Sequence, residues 1–286
     1  MDSLLDLLPQ LPISQWMTNL IDWLTINFDV LFDSLNEFGT TIMDWMTAVL
    51  LLIPPLIFII IVVAIAYFIS GRKYGLATFS GIGLIYIHNQ NLWGDMMNTF
   101  TLILVASLVS ILIGVPLGIL MSKSTIAQKI IQPILDFMQT MPAFVYLLPA
   151  VSFFGIGMVP GVFASVIFAL PPIVRFTNLG IRQVPEELVE AADAFGSTSW
   201  QKLTKVELPN ARPTIMAGAN QTVLLALSMV VTASMIGAPG LGTNVLTALQ
   251  RGQVGAGFVS GFALVVMAII IDRILQNTNK SRKELE

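Results

Sequence analysis

Long apolar runs alternate with short polar ones along almost the whole chain. A membrane-crossing helix needs about 20 mostly apolar residues, and seven stretches approach that pattern: residues 49–69, 76–89, 97–121, 134–156, 160–178, 214–236 and 258–275. The second is short and holds Gly81 and Gly83. The fourth and fifth carry Pro142, Pro149, Pro171 and Pro172. Prolines survive in spans where neighbouring helices or bent backbone satisfy the freed carbonyls, so these two spans are predicted to be kinked or broken inside a bundle. Upstream, Ile13, Trp16, Leu20, Trp23 and Leu24 recur at helical spacing, and Phe28, Phe32, Leu35, Phe38 and Ile42 continue an apolar face. An amphipathic helix edged by tryptophan suits a membrane interface. It equally suits packing on the chain's own spans, and the pattern leaves both open. The predicted fold is all-α and integral to a membrane, with about seven transmembrane helices after an N-terminal amphipathic helix. It divides into an interfacial segment (1–48), a two-span scaffold (49–91), a core (92–275) and a tail (276–286).

Composition agrees. Hydrophobic residues make up 55% of the 286 and charged ones 11%, against about 25% charged in soluble domains. Charge placement sets the topology, because lysine and arginine concentrate in cytoplasmic loops. Residues 1–48 hold six Asp, one Glu and no basic residue. Arg72, Lys73, Lys123, Lys129, Arg175, Arg182, Lys202, Lys205, Arg212, Arg273, Lys280, Arg282 and Lys283 all fall on one side of a seven-span alternation. Of the basic residues only Arg251 falls on the other. The N-terminus is therefore expected outside and the C-terminus in the cytoplasm. The opening MDSLLDLLPQLPISQW lacks a basic stretch and does not read as a cleavable signal. The absence of cysteine excludes disulfides, thiol nucleophiles and thiolate metal sites. A single histidine, His88, excludes a multi-histidine metal site and is expected at a surface or interface.

One stretch breaks the oily pattern: EAADAFGSTSWQKLTKVELP, residues 190–209. Pro185 sits at a helix start. Glu186 and Glu187 suit the positive end of its dipole. Leu188, Ala191, Ala192 and Phe195 share one face, and Gly196 stops the helix. Ser197, Thr198 or Ser199 caps a second helix through Trp200, Leu203 and Val206, which Leu208 and Pro209 are expected to end. The residues alone leave a docking surface and an idle cytoplasmic loop equally open. A DNA-binding helix pair is disfavoured, because Glu186, Glu187, Glu190, Asp193 and Glu207 outnumber its lysines.

EAADAFG, nine residues and then VELP resembles the EAA loop of ABC importer membrane subunits, with Val206 where the usual pattern has Ile. That resemblance implies the type I importer permease fold. It implies a coupling helix that docks on a separate ATPase, carried by Glu190, Ala191, Ala192 and Gly196 and closed by Leu208 and Pro209 within a coupling loop at 185–209. QPILDFMQTMPAFVYLLPAV, FFGIGMVPGVFASVIFALPPIVRFTNLGIRQVP and IMAGANQTVLLALSMVVTASMIGAPGLG extend the likeness to the quaternary-amine branch, the glycine betaine and proline betaine permeases, over about residues 92–275. The N-terminal stretch and first two spans resemble the extra scaffold of that branch. The resemblance implies a homodimer of permease subunits, two ATP-binding subunits that carry ATP and magnesium, and an extracytoplasmic substrate-binding protein. Ending at Glu286 on the cytoplasmic side, the chain is expected to work with a separate binding protein rather than a fused one. It implies no nucleic-acid partner, and no cofactor or metal held by this chain.

The remaining chemistry fits transport. No G-x-x-x-x-G-K-[ST] stretch occurs, so the chain is not expected to hydrolyse ATP. GAPGLG at 237–242 follows an apolar helix rather than a strand and reads as an outer turn. A quaternary ammonium cannot donate hydrogen bonds, so aromatic faces are its natural partners. Phe137, Phe144, Tyr146, Phe153 and Phe154 in the fourth span are candidates, with helix packing or lipid contact the plain alternative for each, and Tyr146 adds a hydroxyl for a watery path. Asn220, Gln221 and Ser228 in the sixth span are polar at membrane depth and should face the bundle interior, lining a path or joining helices.

Overall fold

The computed structural model describes residues 11–283, with side chains to 277. Those residues form helices α1 (Ile13–Asn27), α2 (Asp29–Leu52), α3 (Pro55–Ile69), α4 (Tyr74–Asn89), α5 (Trp93–Lys123), α6 (Thr125–Thr140), α7 (Leu147–Phe154), α8 (Met158–Arg182), α9 (Glu186–Ala194), α10 (Ser199–Lys202), α11 (Leu208–Ser234), α12 (Leu241–Gln250) and α13 (Val254–Lys283). A 3-10 turn, Ala143–Tyr146, precedes α7, and a π-helical stretch, Leu203–Glu207, joins α10 to α11. No strand occurs among the described residues.

α5, α8 and α11 form the centre, and their contact is unusually close. Gly114 and Gly118 lie one turn apart on the face of α5 turned to α8. A methyl group added at Gly118 would sit 2.5 Å from Thr177 Cβ and 2.7 Å from the Val174 carbonyl oxygen; one at Gly114 would sit 2.3 Å from Ile173 Cγ2. Small residues four apart let helix axes approach where lipid supplies no hydrophobic drive. α12 and α13 pack beside this core, and the α3–α4 pair leans on α13, where Tyr86 donates to the Val259 carbonyl at 3.2 Å.

Among the described residues, four helices are by length and composition able to cross a membrane unbroken: Trp93–Lys123, Met158–Arg182, Ser199–Ser234 and Val254–Asn277. Counting each bent pair as one span gives six. The expected span at 76–89 is α4, whose 16 residues reach about 24 Å at 1.5 Å each. The expected first span, 49–69, is not one helix. It breaks by 93° between α2 and α3, because each residue before a proline is driven out of the α region: Ile53 has ψ 119° and Pro54 has ψ 137°. α2 thus runs through the boundary expected at residue 48. The fourth span is broken as predicted, by 108° between α6 and the turn leading to α7. Pro142 cannot donate to the carbonyl of Met138. The Tyr146 hydroxyl donates to that carbonyl instead, at 2.6 Å.

α1 buries no residue; Ile13, Trp16, Met17, Leu20 and Trp23 are all exposed. Apart from Leu24, which is half-buried, its apolar stripe is not covered by the other described residues. α2 is better anchored: Phe32 stacks on Phe153 with centroids 4.6 Å apart, and Thr47 donates to Thr101 of α5 at 3.0 Å.

Gly118→Val is expected to destabilise the helix core by about 1–3 kcal/mol or more through overpacking. Gly94→Ala, at a position with open space around it, should be near neutral. Thermal unfolding of the purified protein distinguishes them.

Candidate coupling hairpin and transport face

α9 begins after Pro185, with Glu186 and Glu187 in its first turn. Its end is a Schellman turn. Ser197 N–H bonds the Ala192 carbonyl at 3.0 Å and Gly196 N–H bonds that of Asp193 at 2.9 Å. Gly196 has φ 74°, the left-handed conformation this motif requires. Of the face predicted from spacing, Leu188, Ala191 and Phe195 are exposed, Phe195 at 91%, whereas Ala192 is buried. Glu190 is exposed beside them. α9 rests on the π-helical stretch, and Ala192 is its buried residue. Leu188, Ala191 and Phe195 remain free to meet something else.

Of the three possible caps, Thr198 is the one used. Its hydroxyl accepts from Gln201 N–H at 3.3 Å, and the Gln201 side chain accepts from Thr198 N–H at 2.9 Å, a capping box. Lys202 ties the two arms together by donating to both Asp193 carboxylate oxygens at 2.8 Å. Leu208 and Pro209 do not end the second helix as expected. Pro209 sits in the first turn of α11, where a missing N–H is harmless. The chain runs as one helix from Ser199 to Ser234. The second arm of the hairpin is therefore one end of a helix long enough to cross a membrane, not a separate piece.

Two contacts at this joint carry signals that spacing alone left unread. Glu207, weighed above only as an acidic charge, is 4% exposed and pairs with Lys123 at the end of α5. Arg182 of α8 donates to the Met121 carbonyl at 2.8 Å, one of the last α5 carbonyls lacking a helical partner. Beneath them Ile181, Leu203 and Ala211 pack as one cluster. Further up, Arg175 of α8 pairs with Asp136 of α6.

The candidate path residues divide. Gln221 and Ser228 are exposed on α11, in line with Ala217 and Met235, also exposed; steps of 4, 7 and 7 residues keep them on one stripe. Asn220 turns the other way, half-buried, its Oδ1 without a hydrogen-bond partner. Tyr146 is buried and its hydroxyl is engaged by Met138, whereas Phe144 in the same turn is 60% exposed. That turn packs against α11, so Phe144 and the polar stripe belong to neighbouring elements. A further feature went unread in the sequence. α12, between α11 and α13, is held to α5 by Asn244 donating to Asp95 at 2.6 Å and by Leu241 N–H donating to the Thr99 hydroxyl at 2.8 Å. His88 is exposed at the end of α4, edge-on to Trp93. No cluster of metal-ligating side chains occurs among the described residues.

Residues 110–283 match the model of the family described as binding-protein-dependent transport system inner membrane component. The chain is 56% identical to a glycine betaine/carnitine transport permease protein of Listeria monocytogenes, over 96% of this chain and 98% of that one. It is 47% identical to a glycine betaine transport system permease protein of Bacillus subtilis, over 98% of each. It is also 47% identical to a glycine betaine/proline betaine transport system permease protein of Escherichia coli, over 96% of this chain and 77% of that one. Among solved structures it resembles a methionine ABC transporter in inward-facing conformations, with TM-score 0.57 and 23% identity over 66% of this chain and 93% of that one. An amino acid ABC transporter gives TM-score 0.56 and 17% identity over 70% and 95%. These two likenesses concern the fold. With an all-helical bundle, several membrane-length apolar helices and a family match over most of its core, the chain belongs to the family of inner membrane components of binding-protein-dependent transport systems.

Proposed function

We propose that this chain is the permease subunit of an ATP-driven importer for glycine betaine or a related quaternary-amine solute. The observation that carries this reading is the near full-length identity to permeases of that description in Listeria and Bacillus. The hairpin supplies the mechanical half. Glu190, Ala191, Ala192 and Gly196 build a short helix whose outer face, Leu188, Ala191 and Phe195, is the docking surface for a separate ATPase. Leu208 and Pro209 carry that arm into α11. ATP and magnesium bind the partner, and this chain does no catalysis.

Two copies of the permease pair, each docking one ATPase, and an extracytoplasmic binding protein delivers solute to the outer face. With α4 counted as a seventh span, the N-terminus lies outside and the C-terminus in the cytoplasm, which puts the basic residues of the hairpin on the inner side. Gln221 and Ser228 support the pairing. An exposed Gln221 side chain on a membrane-length helix is unfavourable against lipid, so this stripe faces the second copy and the solute path. Phe144 offers an aromatic face to the quaternary ammonium. Tyr146 positions the turn that carries Phe144.

With the ATPase and binding protein reconstituted in proteoliposomes, labelled glycine betaine uptake should require ATP and both partners. Uptake by this chain without ATP would overturn the reading in favour of a secondary transporter or osmotic channel. Competition by carnitine and choline ranks the solutes, and a stronger block by either than by unlabelled glycine betaine would reassign the substrate. Gly196→Asp should lower the solute moved per ATP at least about tenfold, within the usual range of coupling energies, with binding-protein affinity unchanged. Intact transport in that variant would remove the turn from the coupling path.

A further inference from the structure

Two irregularities coincide where the hairpin enters the membrane helix. The helical rod from Ser199 to Ser234 is wound as a π-helix over Leu203–Glu207. Such a stretch interrupts the regular hydrogen-bond ladder and is the point at which a rod bends most easily. It also shifts everything beyond it by about 100° around the axis, the step of one residue at 3.6 per turn. The π stretch ends on Glu207, the one charged residue that is buried among the described residues. Its carboxylate meets the ammonium of Lys123, whose side chain is 41% exposed.

An ion pair with one buried partner is weak evidence for stability in itself, since its desolvation cost offsets much of the attraction; what it fixes is geometry. The neighbourhood says which geometry. Lys123 is the last residue of α5, and the same helix end is held from α8 by Arg182, which bonds the Met121 carbonyl at 2.8 Å and Asn178 at 2.9 Å. The foot of α5 is thus gripped from both of its central partners, and the grip from α11 falls on the compliant stretch.

We propose that the Lys123–Glu207 pair is a clamp that carries displacement of the hairpin past the π-helical stretch into the α5–α8–α11 core. This rests on the coupling role proposed above. With the clamp closed, a push on α9 reaches α10 through the Lys202–Asp193 tie, and α10 moves together with the foot of α5. With it open, the rod flexes at Leu203–Glu207 and the spans stay behind. Lys123 and Glu207 are positioning residues; they touch neither solute nor nucleotide.

The test uses the complete complex in proteoliposomes, with uptake and ATP hydrolysis measured on the same preparation and normalised to assembled complex. Glu207→Gln should lower solute moved per ATP about tenfold, a typical coupling strength. Lys123→Met should do worse, because it strands a buried carboxylate. The exchange Lys123→Glu with Glu207→Lys should recover the ratio to within about threefold, the non-additivity expected of a direct pair. An unchanged ratio in Glu207→Gln, or an exchange no better than the single variants, would overturn the clamp. So would uptake and hydrolysis falling in parallel with the amount of folded complex, which is what a merely structural pair would produce. A wild-type complex without ATP-driven uptake would instead strike the transport reading itself.

Discussion

The closeness of α5 to α8 constrains everything else in this molecule. At Gly118 there is no room for even a methyl group between α5 and the Val174 carbonyl. In a bilayer, apolar side chains gain nothing by leaving lipid for one another, so helices hold together through close packing and internal hydrogen bonds. A bundle built that way is stiff and leaves little slack between its members. Force applied at one helix end is passed to the others, and the few places where the backbone departs from regularity become the places where movement is absorbed or directed.

Three of those places are each met by a specific residue. The bend after α6 exists because Pro142 withholds a donor, and the Tyr146 hydroxyl supplies it. The π-helical stretch before α11 would be a weak joint, and it coincides with the Lys123–Glu207 pair. The turn after α9 needs a left-handed residue and has Gly196. Irregular backbone inside a membrane protein is tolerated where the protein itself satisfies it. Here the repairs also fix which parts move together: α9 with α10, and α10 with the foot of α5.

Much of this was legible in the sequence. Apolar runs of span length predicted α5, α8, α11 and α13, and the hairpin declared itself by polarity, by Pro185 and by Gly196. Other features were harder to read. Pro54 and Pro55 lie inside an apolar run, so hydropathy read one span where backbone sterics make two helices at 93°. Leu208 and Pro209 looked like a stop, yet proline in a first turn is compatible with a helix and the rod continues. Tyr146 was weighed for a watery path, but its hydroxyl serves the backbone, a role that depends on Pro142 lying four residues earlier. Gly114 and Gly118 were present in the right spacing for close helix contact, and a search for small residues four apart would have found them. Glu207 and α12 depend on partners 84 and 149 residues away in sequence, which no local pattern encodes.

The claim on which the function turns is that the outer face of α9 docks an ATPase. The chain contains no cysteine, so single cysteines placed at Leu188, Ala191 and Phe195 can be followed one at a time by maleimide labelling in membranes. Assembly with the partner ATPase should slow labelling at all three positions, while a cysteine at Thr41, exposed on α2, labels at the same rate throughout. Equal labelling of the α9 positions with and without the ATPase would contradict the docking role.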